Sequence, residues 1–145
     1  RKVYFCGMAR IMAIDYGGKR TGLAVTDPLQ IIARGLETVE SKTVLAFIKD
    51  YCQQETIELF VVGEPLNLDG SDTHATPLVR AFVKKLQQQH PDIPVKMIDE
   101  RFTSKRAVAE MIKGGYKKKD RRQKGNIDTM AATLLLKDYL EEHTT

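Results

Sequence analysis

MARIMAIDYGGKRTGLAV, residues 8–25, holds two apolar runs around a glycine turn, and its reading decides the fold. Arg10–Tyr16 alternates or runs apolar and reads as a strand; Gly17 and Gly18 punctuate it, and Thr21–Thr26 reads as its hairpin partner. Asp15 lies at the end of the first run. It is either an ordinary hairpin residue or a carboxylate offered to a metal ion or phosphate, and the hairpin alone does not choose. Ile31–Val39 supplies a third strand, with Gly35 as a candidate bulge. Three consecutive strands of this kind form an antiparallel meander.

Beyond residue 40 the apolar period changes. Val44, Phe47, Ile48 and Tyr51 fall at helical spacing within Thr43–Glu55, behind Ser41 as N-cap. Ile57–Val62 is a continuous apolar run ending at Gly63, the pattern of a strand buried on both faces. Pro77 suits a first helical turn, and Leu78, Phe82, Val83 and Leu86 form a stripe after it. Pro91 and Pro94 end that helix, and Val95–Ile98 makes a short strand. A helix from Thr103 to about Lys113 and another from Ile127 to about Glu141, capped by Asn126, complete the chain. The expected fold is α/β: a five-stranded mixed sheet, three-strand meander plus two βα crossover strands, with helices on its faces.

The chain has 145 residues, enough for one domain with a real core. Arg1–Gly7, ahead of Met8, reads as a tag remnant, leaving residues 8–145 as a single domain. No apolar run reaches the ~18–20 residues of a membrane span, and no signal peptide is recognisable. Cys6 and Cys52 have neither zinc-ligand nor CxxC spacing, which favours the cytoplasm. The net charge of +4 is concentrated: Lys113–Lys124, KGGYKKKDRRQK, has seven basic residues and one acid, while the remainder of the chain sums to −2. A polyanion is the expected partner of that segment; the bland alternative is a solvated loop.

Ligands of parallel βα units bind beyond the carboxyl ends of the strands. Asp15 ends strand one, and Asp99 and Glu100 follow strand five. Asp128 sits among Ala131, Ala132, Leu135 and Tyr139 on the apolar face of the last helix, where an acid is costly to desolvate without a charged partner. An acid in the first turn is also explained by the helix dipole alone. Carboxylates on three elements, without a His or Cys cluster, form a hard oxygen site for Mg²⁺ or Mn²⁺. Two such ions ~3.5–4 Å apart can activate water and stabilise the leaving oxygen of a phosphodiester.

DYGGKRTGLAVTD (15–27), VVGEPLNLDGS (61–71), DERFTS (99–104) and NIDTMAATLLLKDYL (126–140) together resemble the YqgF family, from about Met8 to Glu142 in consistent order. Its members are described as Holliday junction resolvases and as pre-16S rRNA nucleases. The resemblance implies a ribonuclease-H-like fold, with Asp15, Glu100 and Asp128 as catalytic, metal-binding acids and Asp99 structural. Two ions are expected, filling the site when substrate is bound. Lys19, Arg20 and Arg101 would face nucleic acid, with Lys117, Lys118, Lys119, Arg121, Arg122 and Lys124 of the basic segment. Asn67 and Asp69 could organise their loop through side-chain to backbone bonds, with Gly70 at positive φ; Glu64 is not counted as a ligand.

The expected activity is metal-dependent hydrolysis of RNA in 5′-end maturation of pre-16S rRNA. The alternative substrate is a DNA junction, which requires two coordinated cuts and hence a symmetric dimer. Monomer and homodimer both remain open. An ATP-binding role would need a second lobe or a GxxxxGK[ST] loop, and the sequence has neither. A non-catalytic nucleic-acid-binding module is the remaining class. His74, His90 and His143 pair with no nucleophile at motif spacing.

Overall fold

The computed structural model describes residues 9–67, 69–99, 109, 112–113 and 124–143. β1 (Arg10–Tyr16) pairs antiparallel with β2 (Arg20–Thr26), and β3 (Ala33–Glu40) continues the meander on β2. β4 (Ile57–Glu64) runs parallel to β1 on its other side, and β5 (Val95–Asp99) runs parallel to β4. Among the described residues this is one five-stranded sheet of order β3-β2-β1-β4-β5, the mixed sheet expected.

The pleat sorts the apolar residues between two cores. Met12, Ile14, Leu23, Val25, Phe60 and Val62 face α1 (Val44–Gln54) and α2 (Thr76–Gln89), against Val44, Ile48, Val79 and Leu86. Ile11, Ala13, Ala24 and Val61 face α3 (Lys124–His143), against Ala132, Leu135, Leu136 and Leu140. The side chains on the α3 side of the sheet are mostly small, which lets that helix lie close. Full burial of Leu135 and Leu136 contributes roughly 1.5–3 kcal/mol each. Tyr139 packs at the edge of this core with the Lys96 ammonium 5.2 Å from its ring centroid, so it is a core residue.

Several boundaries differ from the sequence expectation. β3 begins at Ala33, and Ile31 and Ile32 are 67% and 66% exposed. The cause is Asp27, whose Oδ1 accepts the Ile31 and Ile32 amides at 2.8 and 2.7 Å and turns the chain before the strand begins. Those amides, Ile32 foremost, hold the Asp27 carboxyl below its ordinary range. The bulge falls at Leu36, between Glu37 and Gly35, because the register with β2 shifts there. Val79 takes the buried place expected of Leu78, which is 55% exposed. α3 is described from Lys124, so Asn126 lies within the helix and not at its boundary. Ser41 opens a 3-10 turn, Ser41–Thr43, and caps no helix. Of the expected Thr103–Lys113 helix, residues 109, 112 and 113 are described, and they are helical. Residues 1–7, read as a tag remnant, lie outside the described residues.

His90, at the C-cap of α2, meets Phe60 edge-on at 5.5 Å, and its Nε2 is buried without a hydrogen-bond partner. Burial, reinforced by Lys49, pushes the imidazole below its ordinary pKa. The unfolded chain therefore takes up a proton near pH ~6.5 before the folded one does, and stability falls as the pH drops through that range. Acidification from pH ~7.5 to ~5.5 should cost the wild type more stability than it costs His90→Gln, measured by urea denaturation at both pH values. Equal losses would mean that His90 does not contribute to the acid sensitivity.

Candidate metal and nucleic-acid site

β1, β4 and β5 are parallel, so Asp15, Glu64 and Asp99 all lie toward one edge of the sheet. The pleat then separates them. Asp15 continues the face of Ile11 and Ala13, which is covered by α3. Glu64 continues the face of Phe60 and Val62, and Asp99 that of Val95 and Met97, both on the α1–α2 side. Asp99 thus stands on the opposite face of the sheet from Asp15. Glu64 is engaged by Arg80 of α2 at 3.2 Å, and the same guanidinium holds Asp72 at 2.8 Å. Glu64 is therefore part of a surface network that ties the following loop to α2.

Asp128 reaches Asp15's side of the sheet through a close backbone approach. Gly22 is the register partner of Asp15, and a Cβ at Gly22 would collide with the Asp128 carbonyl group. Only glycine permits α3 to rest there. One residue on, Thr129 sits over Gly35 of β3, where a Cβ would come within 2.6 Å of its Cγ2, and the Thr129 hydroxyl bonds that of Thr38. The start of α3 is thereby seated on two strands. Arg20, two residues before Gly22 on the same face, donates from Nε to Asp128 Oδ2 at 3.1 Å. The charged partner that a carboxylate on an inward-facing helix requires is thus a residue expected to contact nucleic acid.

The turn between β1 and β2 is fixed from outside the hairpin. The Ser41 amide donates to the Lys19 carbonyl at 2.8 Å, and its hydroxyl donates to the Gly17 carbonyl. Buried Thr21 meets the same hydroxyl at 2.8 Å. Gly17 is required by the turn itself, since a Cβ would lie 2.5 Å from the Arg20 carbonyl oxygen, whereas Gly18 has nothing within 4 Å and faces solvent. Gly18, Lys19 and Arg20 line a shallow depression with Glu40 and Lys42. Lys19 is exposed there, at the open side of the turn.

The 63–71 loop behaves as its residue types suggest. Gly70 has φ +87°, Asn67 Nδ2 donates to the Asp72 carbonyl at 3.0 Å, and Asp69 Oδ1 accepts the Ser71 amide at 2.9 Å. These bonds shape the loop locally. Glu100, Arg101, Lys117, Lys118, Lys119, Arg121 and Arg122 lie outside the described residues; Lys124 is described as the first residue of α3, its side chain not included.

The described residues thus bring together two of the three expected acids, Asp15 and Asp128, with Lys19 and Arg20 beside them. Carboxylates on a central strand and on a helix seated against its neighbour are hard oxygen donors and fit a divalent cation by donor chemistry. Gly22 and Ser41 were not singled out for this site by sequence reasoning. A glycine in the middle of the apolar TGLAV strand is a signal for close backbone approach; Ser41 carries no local signal, because its partners are 20 and more residues away.

A three-strand meander followed by two parallel crossover strands in one mixed sheet, with helices on both faces, is a ribonuclease-H-like fold. T. thermophilus RuvC in complex with a Holliday junction substrate has this fold, with a TM-score of 0.59 and 20% identity over 94% of this chain and 97% of that one. Residues 9–142 match the family described as RuvX: Holliday junction resolvase. A protein of Flavobacterium psychrophilum named "Putative pre-16S rRNA nuclease" is 47% identical over 133 residues, 92% of this chain and 97% of its own length. One of the same name from Phocaeicola vulgatus is 48% identical over 134 residues, 92% and 96% of the two chains. The chain belongs to the RuvX (YqgF) family and is a nuclease, a hydrolase of ester bonds.

The seat of α3 can be tested without substrate. Gly22→Ala forces backbone against backbone and should destabilise the protein by about 1–3 kcal/mol or more in urea denaturation. Gly18→Ala, in open space, should stay within ~0.5 kcal/mol of wild type.

Proposed function

We propose that the protein cleaves RNA, using Mg²⁺ or Mn²⁺ held by Asp15, Glu100 and Asp128, in the 5′-end maturation of pre-16S rRNA. The observation that carries this reading is the meeting of Asp15 and the Asp128 turn of α3 at Gly22, with the Lys19–Arg20 turn alongside. A divalent ion in such a site, as a pair when substrate is bound, lowers the pKa of water and neutralises charge on the phosphate. The chain's own part is to hold the acids at fixed positions and to grip the flanking backbone. Asp15 is held by the hairpin, Asp128 by the seat of α3, and Lys19 projects from a turn locked by Ser41. Arg101 and the basic residues from Lys117 to Lys124 would supply further cations for the phosphates.

The names of the relatives from Flavobacterium psychrophilum and Phocaeicola vulgatus support the rRNA substrate. A monomer suffices for it, whereas paired cleavage of a junction calls for a homodimer. Residues 8–145 act as one nuclease domain in this reading, at work in the cytoplasm; no helix of the described residues is long and apolar enough to cross a membrane.

The experiment is Mn²⁺-dependent cleavage of labelled single-stranded RNA and of a four-way DNA junction in parallel. RNA cleavage that falls to background in Asp15→Asn is expected. Cleavage of the junction alone would replace the rRNA reading with the resolvase one, and cleavage of neither would leave a nucleic-acid-binding role. Replacing Lys117, Lys118 and Lys119 by Gln should lower the log–log salt slope of RNA binding by about 2, at ~0.7 for each phosphate no longer neutralised. An unchanged slope would remove that segment from the interface.

A further inference from the structure

Arg20 is placed to serve two anions. Its Nε donates to Asp128 Oδ2 at 3.1 Å, in an ion pair whose side chains are 39% and 24% exposed. It also lines the depression that holds exposed Lys19 and Lys42 beside the β1–β2 turn. A guanidinium cannot lose its proton, so at Asp128 it is a fixed positive charge, and a divalent cation sharing that carboxylate must compete with it. The pair is partly open to water, so separating its members carries a small energetic penalty. The neighbouring depression is lined by two lysines and one acid, Glu40, which pairs with Lys42 at 3.4 Å, so with Arg20 its net charge is positive and suits a backbone phosphate.

We infer that Arg20 is exchanged between Asp128 and the nucleic-acid backbone: a cation at Asp128 releases it toward phosphate, and phosphate at Arg20 frees Asp128 for the cation. This rests on the reading of Asp15 and Asp128 as metal-binding acids. The linkage is reciprocal, so cation and nucleic acid strengthen each other's binding through one side chain. A static role, in which the ion pair only orients Asp128 for the metal, predicts the opposite sign for loss of the arginine.

The test is Mn²⁺ titration of the nucleic-acid-free protein, with unbound Mn²⁺ counted by electron paramagnetic resonance. Asp128→Asn should weaken binding in the wild-type background; if it does not, the metal site itself is misassigned and the inference falls with it. Given that site, Arg20→Met should tighten Mn²⁺ binding about three- to fivefold, the range for loss of a partly exposed ion pair. Lys42→Met removes the same charge from the same depression without touching Asp128 and should change the affinity less than twofold. Weaker or unchanged binding in Arg20→Met overturns the exchange and leaves the metal site standing, as does equal tightening in Lys42→Met. A second readout is the affinity of a single-stranded RNA dodecamer with and without Ca²⁺. The wild type should gain affinity when the cation is added, and Arg20→Met should lose most of that gain. An undiminished gain in the variant also overturns the inference.

Discussion

The seating of the α3 backbone on Gly22 is the constraint on which the site depends. At that point a helix and a strand touch main chain to main chain, with no side chain between them to yield. Side-chain packing in a core tolerates adjustment because rotamers can shift; a carbonyl pressed on a glycine has no such freedom. The position of the helix across the sheet is therefore defined at its N-terminal end, where Asp128 is. Thr129 over Gly35, with its bond to Thr38, gives a second point on the next strand. The apolar residues Ala132, Leu135, Leu136 and Leu140 pack the helix onto the sheet further along, away from the acid.

The two described acids are held by different physics. Asp15 rides on β1, which has hydrogen-bonded neighbours on both sides, and its place is set by the sheet ladder. Asp128 rides on a helix and is placed by shape, with the Arg20 guanidinium at its carboxylate. The basic residues are likewise of two kinds. Lys19 and Arg20 belong to a turn locked to Ser41, whereas the run from Lys113 to Lys124 has its seven positive charges in one stretch of sequence.

Much of this was legible in the residues because periodicity reports which way side chains point. The meander, the doubly buried fourth strand and the sheet class follow from alternation and from the continuous run at Ile57–Val62. The phase of a helix is harder to read: Leu78 and Val79 both lie at suitable spacing from Phe82 and Val83, and only the packing of α2 selects Val79. Ile31 and Ile32 have strand-forming side chains, yet the Asp27 carboxylate captures their amides, so local hydrogen bonding overrides propensity. Asp15 and Asp128 were visible as acids at the ends or on the inner faces of apolar elements. The Arg20–Asp128 pair was not, since its members are 108 residues apart and each had a sufficient local explanation.

Among the described residues β3 is an edge strand of the sheet, and its shift of register at Leu36 twists that edge. Arg34, Glu37 and Glu40 add charge along the same strand. An edge interrupted in this way is a poor template for another strand. The β3 side thus resists both fibril growth and continuous-sheet pairing of two copies. Assembly at this end of the molecule is left to side-chain surfaces, whose recognition can be weakened or lost without disturbing the hydrogen-bond ladder that carries Asp15.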